Sequence, residues 1–152
     1  MKSGGEAVFT IDTSVYISAL NLQEPGSNES QVFLQHASRR PLPVFSPTLL
    51  LVEVCAAAAR IWGTDQAEDV VQVVRGLPGQ LWIPLDESWA EESGRIAARH
   101  HLRGSDAVYA AVALRYGATL VTLDHQQLTC LQPAMPVQTP AEALESLLRG
   151  QS

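Results

Sequence analysis

Two carboxylates follow short apolar runs near opposite ends of the chain. The run VFTID ends at Asp12, and the run TLVTLD ends at Asp124. Aliphatic and β-branched residues of this kind predict buried strands. In parallel α/β sheets, ligands collect at the carboxyl ends of the strands, and both acids stand at such an end. Helix capping is the alternative interpretation of each acid, because Asp after a strand commonly caps the next helix.

Glu53 is an isolated charge in an apolar stretch that is predicted to be helical. It is the only charged residue between Arg40 and Arg60. Its neighbours three and four residues away are Leu or Ala, so no salt bridge forms along the helix. Burying a carboxylate without a partner in such surroundings destabilises the folded state by on the order of several kcal/mol. Glu53 is therefore expected to face a cleft, pair with a distant Arg, be protonated or bind a cation.

A fourth acid, Asp106, opens the helical stretch DAVYAAVALRYG. A negative charge in a first turn favours the helix dipole by ~0.3–1 kcal/mol, which is a sufficient structural reason for it. Ser105 is available as the cap, however, and this leaves Asp106 free for another role.

Together the four acids predict a metal site. They come from four separate segments, either at strand ends or on helices expected to pack on the sheet. Converging carboxylates repel one another strongly, and cations neutralise such a cluster. All-oxygen ligands select hard ions, so the expected cofactor is Mg²⁺ or Mn²⁺.

The elements that must position these acids alternate along the chain. Strands are expected at 7–11, 41–45, 81–85, 119–123 and, as a short edge strand, 136–138. Helices are expected at 13–20, 30–40, 46–63, 64–77, 86–102, 106–117 and 140–150, with a short helix or turn at 124–131. Ser30 and Ser46 are the predicted N-caps of two of these helices, with Pro47 at the first helical position. The alternation predicts a three-layer α/β sandwich with a short central parallel sheet flanked by helices.

Composition narrows the class of protein. The chain has 152 residues, 46% of them hydrophobic, and a mean hydropathy of +0.04, which fits a globular fold. No apolar run approaches the ~18 residues of a membrane span, and no signal peptide is visible. Cys55 and Cys130 are expected to be reduced core residues, which suits a cytoplasmic protein.

The net charge of −6 argues against a simple basic nucleic-acid coat, although less so if acids hold cations. Lys2 is the only lysine, which excludes chemistry that needs a buried lysine.

Three stretches resemble the PIN domain, and in particular the small ribonucleases of VapC-type toxins. They are VFTIDTSVYI, SPTLLLVEV and RGSDAVYAAVALRYGATLVTLD. The resemblance covers about 7–148, the expected core of a single PIN-like domain spanning 1–152. It implies a catalytic, metal-binding quartet of Asp12, Glu53, Asp106 and Asp124. It also implies supporting hydroxyls at Thr13, Ser14 and Thr122.

The activity implied by the resemblance is Mg²⁺- or Mn²⁺-dependent endonucleolytic cleavage of RNA. Its biological setting would be a type II toxin-antitoxin pair, with a cognate antitoxin and a homodimer as expected partners. A toxin and an RNA-processing nuclease are not distinguished by the sequence. Arg95, Arg99 and Arg103 follow one another at four-residue spacing and are expected to contact RNA. The alternative is a solvated face on which Glu91 and Glu92 pair with Arg95.

Two other functions stay open at this point. A PIN-fold module with weak or lost cleavage would bind RNA or a protein partner. A phosphohydrolase resembling the haloacid dehalogenases would use Asp12 as a covalent nucleophile. That class expects a second Asp two residues later, where Ser14 stands, and a catalytic lysine.

Overall fold

The computed structural model describes residues 6–150, which contain a five-stranded, wholly parallel sheet. The strands are β1 (Phe9–Ile11), β2 (Val44–Pro47), β3 (Gln80–Ile83), β4 (Thr119–Val121) and β5 (Val137–Gln138). Their order across the sheet is β3-β2-β1-β4-β5, so β1 lies at the centre. The predicted α/β architecture, a short parallel sheet flanked by helices, is confirmed.

Helices fill the connections between strands. They are α1 (Thr13–Leu20), α2 (Ser27–Arg39), α3 (Leu49–Trp62), α4 (Thr64–Arg75), α5 (Glu87–His100), α6 (Gly104–Tyr116), α7 (His125–Cys130) and α8 (Pro140–Gly150). Helix α6 packs against β1, β2 and β4, and α5 packs against α6. Helices α1, α2 and α8 form a second packed group, and α3 packs on α1 and α4. Within residues 6–150, no helix is long and apolar enough to cross a membrane.

The central strands bring the two ends of the chain together. Ile11 pairs in register with Val121, and both side chains are fully buried. The next residue along β1, Asp12, still donates its backbone N–H to the Val121 carbonyl at 2.9 Å. Asp12 and Thr122 therefore leave the sheet side by side at its carboxyl edge.

The predicted second strand and the helix after it are displaced. Strand β2 occupies 44–47 rather than 41–45, so Ser46 and Pro47 are strand residues and do not start a helix. Pairing with β3 decides this, because Ser46 lies in register with Trp82 and donates its hydroxyl to the Gln80 side chain. Helix α3 begins at Leu49 with no side-chain cap.

Two other predicted caps are wrong as well. Helix α2 begins at Ser27, so Ser30 lies inside it, where its buried hydroxyl bonds Ser18 instead of a helix end. Helix α6 begins at Gly104 with Arg103 at the N-cap position, so Ser105 is not the cap. Both cysteines are free, as expected, but they are only partly buried.

Candidate active site

Asp12 and Asp124 each cap a helix, as the structural alternative predicted. Asp12 Oδ2 accepts from the Ser14 N–H at 3.1 Å and from the Thr122 hydroxyl at 3.3 Å. Asp124 Oδ1 accepts from the Gln127 N–H at 3.1 Å. Each cap uses one carboxylate oxygen, so capping leaves the other oxygen of both acids for a different contact.

Thr122 and Ser14 connect the segment after β1, which carries Asp12, to the segment after β4, which carries Asp124. The Thr122 hydroxyl, which bonds Asp12, also accepts the Asp124 N–H at 2.9 Å. The Ser14 hydroxyl accepts the Leu123 N–H at 3.0 Å, so it ties α1 to the segment after β4. Two of the three hydroxyls predicted to support the site, those of Ser14 and Thr122, thus fix the backbone that carries its carboxylates.

Glu53 reaches the same region from α3 and is held by two hydroxyl groups. Its Oε1 accepts from the Thr13 hydroxyl at 2.9 Å and from the Tyr109 hydroxyl at 2.6 Å. The two hydroxyl oxygens are themselves 2.7 Å apart. Burial raises the pKa of Tyr109 well above its ordinary value of 10, and the Glu53 charge adds to this, so the phenol stays protonated. Glu53 therefore has a fixed side chain without an arginine partner.

Asp106 and Asp124 share one arginine. Arg103 donates from Nε to Asp106 Oδ2 at 3.0 Å and from Nη2 to Asp124 Oδ2 at 2.5 Å. Asp106 is 7% exposed, whereas the Arg103 side chain is 63% exposed. Burial raises the pKa of Asp106, the Arg103 contact opposes this, and the Asp124 charge adds to it. The guanidinium is thus the counter-ion of this carboxylate pair.

Asp12 is the acid that burial perturbs most clearly. Only 6% of it is exposed. Burial raises the pKa of its carboxyl from 3.8 to about 6; hydrogen bonds from Ser14 oppose the rise, and the charges of Glu53 and Asp106 add to it. Within residues 6–150, neither Asp12 nor Glu53 forms a salt bridge. A buried carboxylate surrounded by like charges is an environment that favours a cation.

These side chains open onto one cavity of about 320 Å³. It is lined by three of the four acids, two arginines and a few small residues: Asp12, Thr13, Glu53, Ala56, Ala57, Arg60, Arg103, Ser105 and Asp106. Asp124 adjoins this set through Arg103. With the side chains as they stand, no three His, Cys, Asp or Glu residues in the described part of the chain form a group able to hold a metal ion.

The donor set nevertheless fits a hard divalent cation. Carboxylates and hydroxyls are the oxygen ligands that Mg²⁺ and Mn²⁺ prefer. Among the described residues, Asp12 and Glu53 form no salt bridge, although they face the same cavity. The site thus has the chemistry of a cation site, with its second pair of carboxylates engaged by Arg103.

The three arginines expected to contact RNA, Arg95, Arg99 and Arg103, do not all lie on one helix. Helix α5 ends at His100, so Arg103 lies beyond the helix that carries Arg95 and Arg99. Arg95 pairs with Glu92 at 2.8 Å, as the alternative interpretation predicted. The Arg99 side chain is exposed. The RNA contacts of Arg95 and Arg99 remain predictions, since neither lines the cavity.

Sequence reasoning missed Tyr109 and Arg60. Tyr109 stands one turn after Asp106 on an otherwise apolar, small-residue helix, so its hydroxyl was a usable signal. Arg60 ends the long apolar run of α3, seven residues after Glu53, which places it two turns along the same helix face. The bond between Tyr109 and Glu53 had no sequence signal, because the two residues are 56 positions apart.

Comparisons with known proteins agree with this architecture. The family model of the PIN domain matches residues 9–129. No curated protein sequence matches the chain. Among solved structures, VapBC2 from Rickettsia felis, bound to a DNA fragment from its promoter, superposes with a TM-score of 0.66 at 13% identity, covering 87% of this chain and 98% of that one.

Two other solved structures give similar values. VapC20 from Mycobacterium tuberculosis, described as a sarcin-ricin loop cleaving toxin, has a TM-score of 0.66 at 18% identity and covers 77% of this chain and 90% of its own. FitAcB from Neisseria gonorrhoeae has a TM-score of 0.64 at 19% identity, with coverages of 88% and 98%. At these identities the likeness establishes the fold, and the family match covers most of the sequence. The chain belongs to the PIN domain family.

Proposed function

We propose that this protein is a divalent-metal-dependent ribonuclease that hydrolyses RNA phosphodiesters internally. The observation that carries the proposal is the convergence of Asp12, Glu53 and Asp106 on one cavity at the carboxyl edge of the sheet. Asp12 is buried there with a pKa raised to about 6, and within residues 6–150 it forms no salt bridge. Such a carboxylate cluster is costly unless a cation is bound, so its presence favours a function that uses one.

Four residues would hold the cation: Asp12, Glu53, Asp106 and Asp124. When bound, Mg²⁺ or Mn²⁺ supplies Lewis-acid activation of water and neutralises charge on the phosphate. The rest of the chemistry is positioning, for which the protein needs no nucleophilic side chain.

The surrounding hydroxyls perform this positioning. Thr13 and Tyr109 restrict Glu53 to one orientation through two hydrogen bonds to the same oxygen. Thr122 orients Asp12 while it holds the backbone at Asp124. Rigid ligands of this kind keep a cation and a phosphate in the geometry of reaction. Arg60 and Arg103 line the same cavity and supply positive charge for the phosphate backbone.

RNA as the substrate, and a toxin-antitoxin setting, are supported by the structural neighbours. One neighbour, VapC20, is described as a toxin that cleaves the sarcin-ricin loop. Another is a toxin-antitoxin complex from Klebsiella pneumoniae. We therefore propose a cognate antitoxin as the partner of this chain, and a homodimer as its assembly.

A second candidate is a PIN-fold module that binds RNA or a partner and cleaves weakly or not at all. The pairing of Arg103 with both Asp106 and Asp124 favours it, since this arrangement neutralises two carboxylates without a metal. The intact set of four acids favours the nuclease, because a binding module has no use for the repulsion among them. A phosphohydrolase with an Asp12 nucleophile is disfavoured by membership in the PIN family and by Ser14 two residues later.

An RNA cleavage assay separates these functions. Purified protein is incubated with end-labelled RNA in Mg²⁺, in Mn²⁺ or in EDTA, alongside Glu53→Gln. Glu29→Gln, an exposed acid on α2, is the matched control. We expect internal cuts with wild type and the control in either metal, and none with EDTA or Glu53→Gln. Metal-independent cuts, or RNA binding without cuts under all conditions, would contradict the nuclease.

A further inference from the structure

The position of Arg103, which bridges Asp106 and Asp124, is not explained by the helix that it precedes. Arg103 stands at the N-cap position of α6, where its side chain makes no capping bond. A cation at this end of a helix is opposed by the helix dipole, whose positive pole lies there. Arg103 is therefore placed against the preference of its own helix, and the two carboxylates account for its position.

The two ion pairs of Arg103, with Asp106 and with Asp124, form a bridge that can open. Both bonds of the guanidinium go to the two carboxylates, and in the described part of the chain it makes no other side-chain bond. Its side chain is 63% exposed, so it can turn into solvent without uncovering core. Water solvates the separated guanidinium well, which lowers the cost of withdrawing it from the two carboxylates. Asp106, in contrast, is almost completely buried and cannot leave.

One positive charge neutralises this cluster only partly. With Arg103 in place, Asp12 and Glu53 form no salt bridge with any residue in the described range, although they lie beside the bridged pair. A divalent cation brings twice the charge into the same cavity, and it competes for the carboxylate oxygens that Arg103 occupies. Binding of the cation therefore competes with the Arg103 bridge, which engages Oδ2 of both Asp106 and Asp124.

We propose that Arg103 is an internal counter-ion of Asp106 and Asp124 that a bound cation displaces. Its presence sets the concentration of Mg²⁺ or Mn²⁺ at which the site binds the cation. Without metal it bridges Asp106 and Asp124, and metal binding expels its guanidinium from them. The inference deepens the proposed function and rests on it. Its consequence is a lower apparent affinity for Mg²⁺ or Mn²⁺, so that the site binds the cation at a higher concentration than it would without Arg103.

The test measures Mn²⁺ affinity by calorimetry for wild type, Arg103→Gln and Arg99→Gln. Arg99→Gln is the matched control, because it removes the same charge from an exposed arginine that bonds neither carboxylate. Loss of a competing ion pair worth a little under 1 kcal/mol predicts about fivefold tighter binding for Arg103→Gln. The control is expected to stay within about twofold of wild type. Equal or weaker binding by Arg103→Gln would overturn the inference.

A measurement on the wild type makes the result independent of how the variant folds. In a Mg²⁺ titration followed by NMR, the Arg103 Nε–H resonance should shift and its exchange with water should accelerate as the bridge opens. An unchanged resonance while Mg²⁺ binds would overturn the bridge and leave the nuclease standing. If the wild type binds neither ion, the proposed function itself fails, and this inference falls with it.

Discussion

The hydroxyl of Tyr109 donates a 2.6 Å hydrogen bond to Glu53 Oε1 across the interior of the candidate site. Tyr109 is 0% exposed, and burial keeps its pKa far above the neutral range. The phenol of Tyr109 therefore stays protonated and donates to one carboxylate oxygen of Glu53. The other oxygen of Glu53 is left for the cavity. Helix α6 thus contributes both the carboxylate of Asp106 and the group that orients Glu53.

Tyr109→Phe should slow catalysis at a modest cost in stability. The substitution keeps the packed ring and removes only the donor, so the free energy of unfolding should fall by about 0.5–1.5 kcal/mol. Glu53 then loses one of its two fixed bonds, and Mg²⁺-dependent RNA cleavage should slow by about tenfold, or ~1.4 kcal/mol in activation free energy. Single-turnover cleavage rates and urea unfolding measure the two quantities.

The control for this prediction lies on the same helix. Tyr116 is 40% exposed at the far end of α6 and stacks on Phe45, and its hydroxyl makes no bond within residues 6–150. Tyr116→Phe should leave the cleavage rate unchanged. Wild-type rates for Tyr109→Phe would mean that Glu53 needs no help from the phenol.

The buried Asp12 predicts an unusual dependence of stability on pH. Its pKa is raised from 3.8 to about 6 on folding, so the folded state binds the proton more tightly than the unfolded state. Its contribution to stability is therefore fully present below pH 3.8 and is lost as the pH rises to about 6. The full difference is about 3 kcal/mol.

Asp12→Asn isolates this effect, because the amide does not titrate. In EDTA, the stability of the variant relative to wild type should rise between pH 4 and pH 6 and stay level above that. Thermal unfolding across this range gives the difference directly. A constant difference between the two proteins would show that Asp12 titrates normally in the folded state.

The end of β1 at Asp12 was predictable, because the strand is short, apolar and β-branched. Strand β4 was predicted to run to residue 123 but ends at Val121, so Asp124 lies three residues beyond it. Local signals failed where tertiary pairing competed with them. Ser46 and Pro47 have the sequence of a helix start, yet pairing with β3 makes them strand residues. The sequence predicted that distant acids converge, but it did not predict the individual bonds among them: Thr13 and Glu53 are 40 positions apart, and Arg103 reaches Asp124 across 21.

Mn²⁺ should stabilise the fold, because a ligand of the folded state alone shifts unfolding by mass action. At 100 times the dissociation constant, the gain is about 2.7 kcal/mol, or a rise in Tm of about 5–10 °C for a chain of this size. Asp106→Asn should remove most of this rise, whereas Asp69→Asn, an exposed acid on α4, should retain it. Differential scanning fluorimetry with Mn²⁺ and with EDTA makes the comparison. The same rise in both variants would place the Mn²⁺ outside the proposed site.

Arg60 should contribute more to RNA binding than Arg95 does. Arg60 lines the cavity from the last turn of α3, while Arg95 is engaged by Glu92 on α5. Each phosphate contact to single-stranded RNA contributes about 0.7 to the slope of log K against log salt. Arg60→Gln should therefore weaken binding of a single-stranded RNA and reduce that slope by about 0.7.

Fluorescence anisotropy at several salt concentrations measures this slope, with the Glu53→Gln background keeping the RNA intact. Arg75→Gln, an exposed arginine at the end of α4 and outside the cavity lining, controls for the loss of one positive charge. Only a residue that touches a phosphate changes the number of counterions released, so the slope distinguishes contact from a general charge effect. A reduced slope for Arg95→Gln with an unchanged slope for Arg60→Gln would place the RNA along α5, away from the acidic cavity.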